Sequence, residues 1–205
     1  SWTRPSTNKR VLLVPGQVES DASIRYGTGD IRTNMGLLKE VRGRSPDAFV
    51  VYKPHPDVVA GLRACGMNES QAGLYCDAVL GDVAMSDLLD EVDEVHTMTS
   101  LTGFEALMRG KRVVTYGMPF YSGWGLTEDV GMSEGVASRR IRRLDLDELV
   151  AGALILYPTY VSRRTGRPTT PEIVLDELKE WRRTEPKGTR FWKESLQWLL
   201  GFWKY

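Results

Sequence analysis

The stretch Lys-Arg-Val-Leu-Leu-Val at residues 9–14 is a short apolar run that Pro15 and Gly16 bring to an end. Runs of the same kind occur at residues 48–53, 77–81, 94–97 and 112–117. Short runs without a clear polar–apolar alternation are typical of strands that are covered on both faces. Between the runs, apolar residues recur at helical spacing. The alternation of strand and helix predicts an α/β fold: a Rossmann-like parallel sheet with helices on both faces and right-handed crossovers.

The organisation changes after the fifth run. Residues 8–160 are predicted to form the Rossmann-like domain, and residues 161–205 a helical extension. Inside the domain, residues 117–135 hold five glycines among aromatic residues, so they are predicted to be a loop. A helix is predicted at residues 145–156, and another that begins at Pro171, a favoured residue for a first helical position.

The end of the chain, residues 190–205, is rich in aromatic residues. Apolar side chains recur there on one helical face, at Trp192, Leu196, Leu199 and Trp203. The pattern predicts either a helix that packs on the rest of the protein or an interfacial helix that lies on a membrane. Its small net charge argues against an electrostatic membrane anchor.

Composition excludes several classes of protein. The 205 residues include 27 basic and 27 acidic side chains, so the formal net charge is zero, which argues against non-specific nucleic-acid binding. No apolar run approaches the ~18 residues of a membrane span. Neither a dinucleotide-binding glycine motif nor a Walker motif is present, which disfavours a dinucleotide oxidoreductase and a P-loop NTPase. Cys65 and Cys76 have no zinc-ligand spacing and are predicted to be free thiols.

Polar residues follow the predicted strands, where an open parallel sheet binds its ligands. The candidate residues at this edge are Gln17, Glu19, Asp21, Ser23, Lys53, His55, Pro56, Thr99, Ser100, Thr102, Gly103, Glu105, Tyr121 and Trp124. Their clustering at one edge indicates a binding or catalytic site there.

His55 lies between Pro54 and Pro56, which restrict the backbone on either side. A lone histidine in a rigid loop at a strand end suits phosphate contact or proton transfer. The alternative is a cap for a helix that begins near Asp57. His96 falls inside a predicted strand and is interpreted as a structural residue.

The hydroxyl-bearing residues Thr99, Ser100 and Thr102 lead into a helix predicted at residues 104–109. Such a helix N-terminus can bind an anion, or the hydroxyls can simply cap the helix. Gly103 would allow a ligand to approach the backbone. Glu105 could favour the helix dipole or accept ribose hydroxyls.

Asp21 follows the first predicted strand. A carboxylate there could act as nucleophile or base toward a sugar carbon, but an Asp in a loop is often a cap or turn residue. Glu19 is the competing carboxylate.

Four short sequence segments together form a characteristic set of motifs. They are Gly-Gln-Val-Glu-Ser-Asp-Ala-Ser (16–23), Lys-Pro-His-Pro-Asp (53–57), Thr-Ser-Leu-Thr-Gly-Phe-Glu-Ala-Leu (99–107) and Tyr-Gly-Met-Pro-Phe-Tyr-Ser-Gly-Trp-Gly-Leu-Thr-Glu-Asp (116–129). The chain resembles the KpsC-type capsule polysaccharide biosynthesis and export proteins over about residues 10–130. The most specific part is the Pro-Phe-Tyr-Ser-Gly-Trp-Gly-Leu-Thr run, whereas the His-Pro dipeptide alone is a weak signal.

The resemblance implies a retaining β-Kdo glycosyltransferase that uses CMP-Kdo as donor. It implies a GT-B-like module of two Rossmann-type halves, of which this chain is the C-terminal, donor-binding half, and thus an incomplete catalytic module on its own. The acceptor would be a Kdo-phosphatidylglycerol-type glycolipid, at the inner face of the cytoplasmic membrane. The implied partners are the N-terminal half of the module and the capsule assembly and export proteins. The resemblance implies no metal, no other cofactor and no nucleic-acid partner.

The resemblance also implies residue roles. His55 would contact the CMP phosphate, together with the hydroxyl loop of Thr99, Ser100 and Thr102. Glu105 would bind the ribose, and Asp21 would be the nucleophile. The sequence offers no candidate for the general acid/base. Gln17, Glu19, Ser23, Lys53, Tyr121 and Trp124 are further candidates for contact with the donor sugar or the acceptor.

Two other functions are compatible with the sequence. One is a UDP-sugar transferase or epimerase of similar fold, since fold does not determine substrate. The other is a non-catalytic domain that binds polysaccharide or a partner in a capsule export complex. Nucleotide binding would separate the catalytic interpretations from the non-catalytic one.

Overall fold

The computed structural model describes residues 2–184. Six strands form one sheet in the order β3-β2-β1-β4-β5-β6, and every neighbouring pair is parallel. The strands are β1 (Val11–Pro15), β2 (Phe49–Lys53), β3 (Ala78–Val79), β4 (Glu94–Thr97), β5 (Arg112–Thr115) and β6 (Glu128–Asp129). The predicted Rossmann-like α/β fold is therefore confirmed.

Helices connect the strands. They are α1 (Ala22–Gly27), α2 (Asn34–Arg44), α3 (Pro56–Val59), a 3₁₀-helix (Glu69–Leu74), α4 (Met85–Glu91), α5 (Leu101–Met108), α6 (Glu134–Ala137) and α7 (Leu146–Val150), which continues as a π-helix (Ala151–Leu156). None of the helices within residues 2–184 is long and apolar enough to cross a bilayer.

The core forms around β1, the central strand. All five of its residues are buried, and Leu12 and Val14 belong to one apolar cluster with Leu37, Leu38 and Val41 of α2. Each fully buried Leu or Val contributes about 1.5–3 kcal/mol. Burial on both faces explains why β1 is a continuous apolar run rather than an alternating one.

Several boundaries differ from the sequence-based expectation. The segment predicted to be a loop, residues 117–135, contains β6. A strand of only two residues in a glycine-rich sequence leaves no pattern from which it could be predicted. The helix expected after the second strand ends at Val59, and α5 begins at Leu101, three residues before the predicted start.

The chain divides into two compact units, Ser1–Leu149 and a second unit that begins at Val150. In the second unit β7 (Tyr160–Val161) pairs antiparallel with β8 (Pro168–Thr169), and α8 spans Pro171–Thr184. The predicted helix from Pro171 is thus present, and a small hairpin precedes it. The predicted aromatic segment 190–205 lies outside the described residues.

A network of ion pairs around the buried carboxylate of Glu94 occupies the start of β4, at the sheet edge opposite the candidate residues. Glu94 Oε1 accepts from Arg10 Nη1 at 2.5 Å and from Arg112 Nη1 at 3.3 Å. His96, buried in β4 as a structural residue, places Nε2 3.3 Å from Glu94 Oε2. The hydrogen bond from His96, with those two arginines, lowers the pKa of Glu94 from 4.5 to about 2.

This network predicts acid sensitivity. A carboxylate with a lowered folded-state pKa stabilises the fold above its unfolded pKa, and that stability is lost as the pH falls from about 4.5 toward 2. The difference in unfolding free energy between wild type and Glu94→Gln should therefore narrow by about 3 kcal/mol between pH 5 and pH 2. Urea unfolding at a series of pH values measures it, and a constant difference would contradict the assigned role of Glu94.

Candidate functional site

The order of the sheet locates the site. The chain runs outward from β1 through β2 to β3 and then returns to β4 on the other side of β1. Ligands of open α/β sheets bind beyond the carboxyl ends of the strands at such a reversal. The loops after β1, β2 and β4 all open at this edge.

Gly16 brings the β1 and β2 loops into direct contact. Its N–H donates to Lys53 O at 2.7 Å. A Cβ on Gly16 would lie 2.6 Å from the Tyr52 hydroxyl oxygen and 3.1 Å from His55 N. Only glycine fits here, and the close approach places His55 beside the end of β1.

Gln17 joins the β1 loop to the β4 loop on the other side. Its side-chain amide donates from Nε2 to Thr99 Oγ1 at 2.8 Å and accepts at Oε1 from Thr99 N at 2.9 Å and Thr97 Oγ1 at 3.3 Å. The Gln17 side chain is buried and already hydrogen-bonded, and the contact with donor sugar or acceptor expected from the sequence stays a prediction. Its role is to position the hydroxyl loop.

Asn34 is a site-supporting residue that the sequence analysis missed. Its Oδ1 accepts from Gln17 N and its Nδ2 donates to Gln17 O, both at 2.9 Å, and the residue is 1% exposed. The pair fixes the β1 loop on the start of α2. Its only sequence signal is a polar residue at a helix start.

Glu19 also supports the loop. Oε1 accepts from Asn34 N at 2.8 Å and Oε2 from Met67 N at 3.2 Å. Both carboxylate oxygens of Glu19 thus accept hydrogen bonds from backbone groups, and the sugar contact expected from the sequence stays a prediction.

Asp21 precedes α1 as its N-cap residue but makes no side-chain capping bond. Its carboxylate is half-exposed and forms an ion pair with Arg63 Nη2. A carboxylate that is accessible and not committed to a cap can reach a substrate carbon. Asp21 thus lies at a turn and at the N-cap position, as the alternative interpretation expects, but its side chain does not form the cap.

The structure confirms the capping alternative for His55, and the phosphate contact stays a prediction. It is the N-cap of α3, and its Nδ1 accepts from Asp57 N at 3.2 Å. Because Nδ1 is the acceptor, the proton of the neutral ring lies on Nε2. The side chain is 34% exposed, so Nε2–H can donate to an anion.

The N-terminus of α5 forms the third part of the site. Ser100 caps the helix, and its Oγ accepts from Thr102 N at 3.2 Å. Ser100 Oγ also donates to Thr102 Oγ1 at 3.1 Å. Capping by Ser100 agrees with the interpretation of the hydroxyls as caps, and the positive end of the helix dipole still faces the sheet edge.

Tyr121 and Gly103 pack together at this helix end. Tyr121 is fully buried, burial raises the pKa of its hydroxyl, and that hydroxyl donates to Ser100 O at 2.5 Å. A Cβ on Gly103 would lie 2.2 Å from the same hydroxyl oxygen. Gly103 therefore makes room for Tyr121, and the ligand contacts expected for both residues stay predictions.

The other predicted residues have mixed placements. Glu105 lies in the second turn of α5, not the first, so the dipole interpretation fails. Burial lowers the pKa of Lys53, whose Nζ donates to Gly81 O at 3.0 Å. Trp124 donates to Phe120 O at 2.8 Å and lies under Arg140. Ser23 and Pro56 are exposed at the starts of α1 and α3.

Residues 3–160 match the family model described as capsule polysaccharide biosynthesis protein. The chain belongs to this family. Its curated relatives include the capsule polysaccharide modification protein LipA of Neisseria meningitidis, 52% identical over 177 residues, 86% of this chain and 25% of that protein. The lipopolysaccharide-processing protein LpsZ of Rhizobium meliloti is 47% identical over 85% of this chain and 39% of its own length.

Two solved structures from Thermosulfurimonas dismutans have the same fold. The KpsC β-Kdo 2,7 transferase matches with a TM-score of 0.77 and 46% identity, over 87% of this chain and 56% of that one. The KpsC β-Kdo 2,4 transferase matches with a TM-score of 0.70 and 34% identity, over 84% of this chain and 53% of that one. The chain therefore spans about half of each transferase structure and a smaller share of the curated relatives. The resemblance to KpsC-type proteins is confirmed.

Proposed function

We propose that this chain is the donor-binding half of a GT-B-like glycosyltransferase that transfers Kdo from CMP-Kdo during capsule polysaccharide synthesis. The observation that carries the proposal is the convergence of Asp21, His55 and the N-terminus of α5 at the reversal point of the sheet. The 46% identity to a solved β-Kdo transferase supports the choice of sugar.

The phosphate of CMP would lie between His55 and α5. Nε2–H of His55 donates to one phosphate oxygen, and the helix dipole of α5, with the hydroxyls of Thr99, Ser100 and Thr102, stabilises the charge that develops as CMP leaves. Glu105, half-buried on α5, is assigned to the ribose hydroxyls. CMP leaves as a monophosphate, which these groups can stabilise without a metal.

Asp21 would act as the nucleophile. A carboxylate oxygen forms a bond to the anomeric carbon of Kdo while the bond from that carbon to the phosphate oxygen breaks, and the electron pair leaves with CMP. An acceptor hydroxyl then displaces Asp21, so the configuration is retained. The base that deprotonates this hydroxyl is assigned to the other half of the module.

The proposal includes the partners that the family resemblance implies. The acceptor is a Kdo-bearing phosphatidylglycerol-type glycolipid, and the protein works at the inner face of the cytoplasmic membrane with the capsule assembly and export proteins. The lipid-linked acceptor is the reason to expect a peripheral membrane location.

Replacing His55 tests the phosphate site. In the complete transferase module, His55→Ala should weaken CMP binding roughly 10–150-fold, because a hydrogen bond to a charged group contributes about 1.5–3 kcal/mol. Isothermal calorimetry with CMP measures the loss, and UDP should bind more weakly than CMP to the wild-type protein.

The matched control separates binding from capping. Asn is a good N-cap residue, so His55→Asn preserves the hydrogen bond to Asp57 N but is too short to reach the phosphate. It should lose CMP affinity as His55→Ala does while melting near the wild-type temperature. Wild-type CMP affinity in His55→Asn would show that His55 serves only as a cap.

A further inference from the structure

Within residues 2–184, the one basic side chain that forms an ion pair with Asp21 is Arg63. It lies 42 residues away in sequence, on the segment that follows α3. Neither its spacing nor its neighbours mark it in the sequence. The structure places its guanidinium directly on the carboxylate that the proposed function makes the nucleophile.

The backbone around Arg63 is firmly held. The N–H groups of Leu62 and Arg63 both donate to Asp57 O, at 2.8 and 3.1 Å. Further along, Gly66 N donates to Glu69 Oε2 at 2.7 Å, and Met67 N to Glu19 Oε2 at 3.2 Å. The segment is therefore tied to the loops after β1 and β2, whereas the Arg63 side chain itself remains 44% exposed.

The carboxylate of Kdo would repel the carboxylate of Asp21. In an ulosonic acid the anomeric carbon carries a carboxylate, so a carboxylate nucleophile must approach a carbon whose neighbour is another negative charge. Like charges at such a distance repel strongly in a partly desolvated site. A cation that contacts both groups removes this barrier.

We propose that Arg63 binds the carboxylate on the anomeric carbon of the donor sugar and so presents that carbon to Asp21. The guanidinium has five N–H donors in a planar fork. With Nη2 on Asp21, its remaining donors can hold a second carboxylate at the same time. This inference rests on the proposed function and adds to it the residue that would recognise the donor carboxylate.

The test compares affinity for CMP with affinity for CMP-Kdo in the complete module. Asp21→Asn serves as the background, so that no glycosyl adduct forms during the measurement. In that background Arg63→Gln should weaken binding of freshly synthesised CMP-Kdo at least tenfold and change CMP affinity less than twofold. Arg63→Lys should recover part of the loss, because it restores the charge without the fork.

Arg25→Gln is the matched control. Arg25 is an exposed arginine at the end of α1 whose guanidinium lies over Tyr26, and its removal should leave both affinities unchanged. An equal loss of CMP and CMP-Kdo affinity in Arg63→Gln, or no loss of either, would overturn the role of Arg63. If the protein with Arg63 intact binds neither CMP nor CMP-Kdo, the proposed function fails and this inference fails with it.

Discussion

Replacing Asp21 with Asn should reduce Kdo transfer by the complete module at least about 10³-fold, because removal of a catalytic nucleophile has effects of this size or larger. The amide is nearly isosteric but cannot form the glycosyl ester. Affinity for CMP should stay within a few-fold, since the phosphate is assigned to His55 and α5. Initial rates with CMP-Kdo and the glycolipid acceptor measure the first quantity, and calorimetry with CMP measures the second.

Asp30→Asn controls for the simple loss of a negative charge in the same region. Asp30 is exposed, shortly after α1, and has no assigned function. The Asp30→Asn variant should transfer Kdo at the wild-type rate. Near-normal turnover in Asp21→Asn would refute the assignment of the nucleophile, whereas loss of CMP binding together with transfer would show that Asp21 holds the donor.

Replacing Asn34 with Ala should cause the largest loss of stability predicted for the candidate site. The change leaves the buried N–H and C=O of Gln17 without partners, and each such group costs about 1–3 kcal/mol. The total is a large fraction of the stability of an ordinary domain. The melting temperature should fall by roughly 5–15 °C, and CMP affinity should fall with it, because Gln17 then no longer positions the Thr99 loop.

Asn8→Ala is the matched control, since Asn8 is exposed and a surface change of this kind costs within about 0.5 kcal/mol. Differential scanning fluorimetry of both variants measures the two melting temperatures. If Asn34→Ala melts as Asn8→Ala does, the paired hydrogen bonds to Gln17 do not hold the β1 loop.

The sequence predicted the sheet because its strands are buried on both faces. Leu12 to Val14 and Val50 to Tyr52 are enclosed, so their apolar runs mark them without any alternation. The same reasoning could not find β6, since Glu128 and Asp129 are polar and form only two pairs, with Val114 and Thr115. Tertiary pairing, not local pattern, makes them a strand.

The sequence predicted the sheet edge at which the candidate residues lie, but not the hydrogen bonds that each of them makes. Gln17, Glu19 and Tyr121 are polar residues at that edge, and their polarity alone could not identify the protein groups to which they are hydrogen-bonded. Their partners are distant in sequence: Gln17 binds Thr99, and Tyr121 binds Ser100. Asp21 and Arg63 are also distant in sequence, 42 residues apart, and only the folded chain reveals their pairing.

Peptide mass spectrometry after incubation of the wild-type module with CMP-Kdo tests the central claim most directly. The account predicts release of CMP and a covalent Kdo adduct on the peptide that contains Asp21, absent from Asp21→Asn. An adduct on a peptide that lacks Asp21, or transfer at the full rate with no adduct trapped at any time point, would contradict the account.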